Sequence, residues 1–115
     1  MDKATRLVTA ASNRVGWVEF LIPLIPMLAE MLVEIIQNCT NTEDEAVTML
    51  CEPEDWEFNL MTRRVRRALW FRSREFRRLS FRDKTALATQ VVKDQVTVAN
   101  ENPDAVCEAF REVHQ

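Results

Sequence analysis

One glycine and four prolines in 115 residues leave few positions for sharp reversals, so the many short hairpins of an all-β domain have little to turn on. The remaining residues point the same way. Ala, Leu, Glu, Arg, Met and Gln are abundant, and no stretch alternates apolar and polar residues long enough to define a strand. The expected fold is all-α, a compact bundle of five to six helices including one long Arg-rich amphipathic helix. Hydrophobic residues at 47% and charged residues at 29% are a globular balance, and the length suits a single domain over residues 1–115.

Start and stop signals divide the chain. Ala4, Leu7, Val8, Ala11, Val15 and Val18 recur at helical spacing, with Asp2 as a candidate N-cap, which predicts a first helix running to about Phe20. Pro23 and Pro26 remove backbone donors and predict a break, with a second helix starting near Pro26. Thr42 with Glu45 forms a capping-box pattern ahead of a short third helix, which Glu52-Pro53 stops. Pro53, followed by Glu54, Asp55 and Glu57, fits the first turn of a long fourth helix that ends near Leu79. Ser80 with Asp83 caps a fifth, and Asn102-Pro103 starts a short last helix.

Charge is unevenly spread along this pattern. From Val15 to Met61 there are ten acids and no base, whereas from Thr62 to Lys84 nine Arg and one Lys stand against Glu75 and Asp83. At about 100° per residue, Arg63, Arg66, Arg67, Arg74, Arg77 and Arg78, with Trp70, fall within about 60° of one direction. Phe58, Met61, Val65, Ala68, Leu69, Phe76 and Leu79 occupy an arc roughly 100° wide on the other side, the width of a core-facing stripe. On an unbroken helix, Arg63 to Arg78 would span about 22 Å, enough for several phosphates.

Guanidinium groups bind phosphate and carboxylate through paired donors and stack on flat rings, so Arg rather than Lys points to a specific polyanion surface. Trp70 within the stripe adds a platform for an unpaired base. The expected partner is nucleic acid, with RNA or single-stranded DNA favoured. Pairing of the same arginines with the acids of residues 43 to 57, in this chain or in a neighbouring one, competes closely, and an anionic membrane surface is a third occupant.

Met27, Leu28, Met31, Leu32, Val33, Ile35 and Ile36 cover most of the circumference of the second helix, beside a thin stripe of Glu30, Glu34 and Gln37. A helix of that kind is buried on nearly all sides, in the core or between copies. Met27, Leu28, Met31, Leu32 and Ile35 are the candidate self-association residues, with burial in the core the favoured alternative. The apolar stretch from Trp17 to Ile36 is interrupted by Glu19, Glu30, Glu34 and two prolines, so no transmembrane segment is expected.

Catalytic material is scarce. His114 stands beside the C-terminus, one glycine cannot build a phosphate-binding loop, and Cys39, Cys51 and Cys107 form no CxxC pair. The three cysteines sit beside apolar helical residues with no base adjacent in sequence, which predicts buried structural thiols and not nucleophiles. Glu30 and Glu34 lie one turn apart, without the Glu-x-x-His motifs of a di-iron bundle. The expectation is therefore a non-enzymatic accessory or structural subunit, with no cofactor, no catalytic residue and no metal site. A protein–protein assembly subunit, docking its Arg face on an acidic partner or another copy, is the alternative. The unpaired cysteines and the charged N-terminus place it in the cytoplasm or inside a virus particle.

Overall fold

The structure, a computed structural model, describes residues 3–15 (side chains 3–12) and 19–115. Among them are seven α-helices and no strand. They are α1 (Lys3–Val15), α2 (Ile25–Cys39), α3 (Glu43–Cys51), α4 (Asp55–Arg72), α5 (Arg74–Arg77), α6 (Phe81–Glu101) and α7 (Pro103–Val113). A 3-10 turn over Glu19–Leu24 precedes α2. The all-α expectation holds, with one helix more than the sequence predicts because the fourth helix is divided.

The N-terminal expectation needs correction. The α-helix is described as far as Val15 and does not reach Phe20, which lies in the 3-10 turn that contains Pro23. Proline removes a donor that a longer α-helix would require, and the tighter turn accommodates it. Asp2, Gly16 and Val18 lie outside the described residues. Ala4, Leu7, Val8 and Ala11 are buried, as their spacing predicts.

The capping residues define most of the remaining boundaries. Thr42 accepts from Glu45 N at 3.1 Å, and the Glu45 carboxylate reaches back to Asn41 N at 2.8 Å, one residue beyond the Thr42 N of the expected reciprocal bond. Glu54 caps α4, which puts Pro53 ahead of the helix and not in its first turn: Glu54 N donates to Glu57 Oε1 at 2.9 Å within a complete capping box. Ser80 accepts from Asp83 N at 3.1 Å. Asn102 ends α6 and starts α7, its backbone N–H bonding the Val98 and Ala99 carbonyls while its side chain accepts from Ala105 N.

The long α6 lies at the centre, packed against α1, α3, α4 and α7, while α7 also packs against α1, α2 and α3. Leu28, Ile36, Met49, Val65, Leu69, Phe76, Ala88, Val91, Val106 and Ala109 are among the residues of the shared core. Asn100 Nδ2 donates to the Cys51 carbonyl, tying α6 to the end of α3. Asp94, buried on α6, accepts from Gln90 Nε2 at 2.7 Å. By contrast, α4 rests chiefly on α6 and occupies an edge of the bundle. No described helix is long and apolar enough to cross a membrane.

The second helix is less enclosed than its composition predicts. Leu28, Ala29, Leu32, Ile35 and Ile36 are buried, but Met27, Met31 and Val33 are only half-buried and Glu30, Glu34 and Gln37 are exposed. Leu28, Leu32 and Ile35 therefore belong to the chain's own core and cannot form a contact surface while it is folded. Of the candidate self-association set, Met27 and Met31 reach the surface.

Candidate nucleic-acid interface

The inner side of α4 is Met61, Val65 and Leu69, all buried, with Phe58 half-buried against the same core. That choice of inner side turns Arg63, Arg66, Arg67 and Trp70 outward, as the helical phase predicts. Ala68, assigned to the core by phase, is half-exposed at the margin.

The stripe does not continue on the same helix. Ser73, buried in extended geometry, takes its N–H to Leu69 O at 2.9 Å, while its Oγ accepts from Phe76 N at 3.0 Å and caps α5. A serine hydroxyl that satisfies a first-turn N–H restarts the helix on a new axis. Arg74, Arg77 and Arg78 are exposed, but on α5 and its C-cap, so the single 22 Å stripe resolves into two segments. Arg77 spans the break, donating from Nη1 to the Trp70 carbonyl at 2.6 Å, one of the orphan acceptors at the end of α4. It therefore positions Trp70 as well as carrying charge.

Phe76 is fully buried beneath this corner. Above it, Arg63, Arg66, Arg67, Trp70, Phe71, Phe81 and Lys84 surround an open groove of about 530 Å³ floored by Phe76. Its aromatic rings face solvent: Trp70 is 46%, Phe71 68% and Phe81 75% exposed. Cations sit over two of these rings, Lys84 Nζ at 4.9 Å from the Trp70 centroid and the Arg66 guanidinium at 6.0 Å from that of Phe81. These are cation–π distances, and they hold charge beside flat apolar faces.

Sequence phase identifies Arg63, Arg66, Arg67 and Trp70 as one group, and the structure brings them together. It adds Phe71, Phe81 and Lys84, which phase on a single helix misses. Phe81, the first residue of α6, stands seven residues before the buried Ala88, so its helical phase assigns it to the core side although it is exposed, and phase alone gives no signal for it.

The acids of residues 43 to 57 do not neutralise this surface. Among the described residues, no arginine between Arg63 and Arg82 has a carboxylate within 4 Å; the ion pairs are Lys3–Glu108 at 3.2 Å and Arg111–Glu43 at 2.6 Å. Asp44, Glu45, Glu54 and Glu57 instead line a separate hollow of about 420 Å³ with Cys39 and the exposed Trp56, whose Nε1 donates to Glu54 at 2.7 Å.

The cysteines divide in a way their sequence neighbours do not reveal. Cys51 is buried and Cys107 half-buried, but Cys39 is exposed, so the expectation of three buried thiols is corrected at Cys39. Burial pushes the Cys51 thiol above its ordinary range, with the Glu52 carboxylate adding to it. Burial and Glu43 do the same for Cys107 and outweigh Arg111, the basic neighbour one turn away. His114 stacks on Phe110, ring centroids 4.2 Å apart, at the C-terminal end of α7. Among the described residues no three His, Cys, Asp or Glu side chains converge as a metal site would require.

Comparison of the chain with protein-family models, with curated proteins and with solved structures finds no match in any of the three.

Proposed function

We propose that the protein is a non-enzymatic accessory or structural subunit that binds nucleic acid through the groove between α4 and α6, with single strands preferred. The observation that carries this reading is the interleaving of arginines free of acidic partners with three solvent-facing aromatic rings. Guanidinium groups neutralise phosphates, and solvent-exposed ring surface, including the sides of Trp70 and Phe81 away from their cations, accepts unpaired bases by stacking, worth about 1–3 kcal/mol for each base. A duplex keeps its bases stacked internally and would use only the charge.

Fluorescence anisotropy with labelled single-stranded and duplex oligonucleotides tests this, starting at low salt. Binding should weaken as salt rises, and Arg63→Glu with Arg66→Glu should flatten the slope of log K against log salt by about 1.4 for single strands, at about 0.7 per phosphate contact. Trp70→Ala should weaken single strands more than duplex. Absence of binding to either at low salt refutes the proposal.

A second reading is favoured by the acidic hollow around Trp56. It offers another copy's arginines carboxylates and a ring on the same chain, which would make this an assembly subunit. Salt-sensitive self-association that is lost in Arg63→Glu/Arg66→Glu, with no nucleic-acid binding, would identify that case.

A further inference from the structure

The arginines of α4 fall into two sets, and the second lies outside the proposed nucleic-acid groove. Arg64 and Arg72, with Arg67, Ala68 and Phe71, form one wall of a different groove of about 570 Å³. Its other wall is α2, contributing Met27, Glu30, Met31 and Glu34. One wall is thus cationic and the other anionic, with a methionine and phenylalanine strip between them. The two walls stay apart: among the described residues none of these arginines comes within 4 Å of Glu30 or Glu34. Opposite charges face each other across an open, partly apolar trough without pairing.

A two-fold contact brings the same patch of one copy against that of another, so each feature must meet its own complement. This trough meets that condition. Rotation about an axis through its centre sets the acidic wall of one copy on the basic wall of the other, twice over. Phe71, 68% exposed, and the half-buried Met27 and Met31 then supply the apolar middle that a stable interface needs. A partner of one charge would repel one wall, whereas a second copy satisfies both. We propose that the α2–α4 trough is the two-fold interface of a homodimer, with Glu30 and Glu34 of each protomer facing Arg64 and Arg72 of the other.

The surface differs from an apolar helix shared between copies, because the buried residues of α2 stay in their own core. It shares Arg67 and Phe71 with the nucleic-acid groove, but Arg64 and Arg72 line only this trough, so reversing them leaves the arginines of that groove in place.

Light scattering coupled to gel filtration, over a series of protein concentrations, tests the proposal with two charge-reversed proteins. Wild type should run at twice the chain mass. Glu30→Arg/Glu34→Arg and Arg64→Glu/Arg72→Glu should each be monomeric, with self-association weakened about a hundredfold or more by the repulsion. All four positions are at least partly exposed, so both variants should keep the wild-type helical spectrum. Mixed in equal amounts, the two proteins present one wholly basic trough and one that is acidic except at Arg67, and the dimer should return as a heterodimer. A monomeric wild type at high concentration, reversal variants that remain dimers, or a mixture that stays monomeric would each overturn the proposal.

Discussion

Removing the ring of Phe76 tests how far the corner between α4 and α6 depends on one side chain. Phe76 lies on a helix of four residues, too short to be stable alone, and it is the fully buried residue that seats this helix on the core. Phe76→Ala deletes a whole aromatic ring where the surroundings can collapse only partly, and such changes cost about 3–5 kcal/mol. A domain of 115 residues has about 6–17 kcal/mol of stability in total, so the loss is a large fraction without being fatal. With an unfolding entropy near 2.1 cal/mol/K per residue, or about 240 cal/mol/K for this chain, each kcal/mol lowers Tm by about 4 °C. The expected fall is therefore about 12–20 °C in thermal circular dichroism, with a smaller one for Phe76→Leu. A fall below about 4 °C would refute the reasoning, because it would mean that α5 is not held by this ring.

Leu32→Glu should unfold the protein rather than dissociate an oligomer, because Leu32 is 6% exposed and an unpaired carboxylate there costs several kcal/mol; loss of the helical spectrum checks it. Cys39 should react first with a thiol-specific disulfide reagent at mildly alkaline pH. Cys51 and Cys107, whose raised pKa values lower their thiolate fraction, should react slowly until denaturant is added, and counting released chromophore against time separates the two classes.

Most helix boundaries were legible because they rest on local chemistry. Thr42, Ser80 and Asn102 each act on an N–H three residues away, and the same interaction that defines the cap can be read as a sequence pattern. The start of α4 was misread by two residues because Pro53 and Glu54 are both acceptable near a helix start, and only the Glu54–Glu57 bond decides between them. The break at Ser73 was missed for a different reason. Glu75 stands two residues after Ser73 rather than three, so no capping box appears, and the apolar phase of Leu69, Phe76 and Leu79 runs through the break as if the helix were continuous.

The candidate site follows from this. Arg63, Arg66, Arg67 and Trp70 lie within one helix, and a wheel orders them correctly. Phe71, Phe81 and Lys84 join them only because the chain turns at Ser73 and again at Ser80, which is tertiary information. The division of Arg64 and Arg72 from the other arginines depends equally on where α2 lies. A wheel drawn for one helix has no term for a neighbour.

The edge position of α4 also has a kinetic consequence. Opening the middle of α6 breaks packing with four other helices, so its amides should exchange hydrogen only when the whole chain unfolds. Releasing α4 breaks chiefly one interface, so this helix can detach at lower free energy while the rest of the bundle persists, and its amides should exchange sooner. A ligand held by its arginines binds only the attached form, and so slows that exchange by the factor 1 + [L]/Kd. The helix that carries the charge is in this way also its own gauge of occupancy.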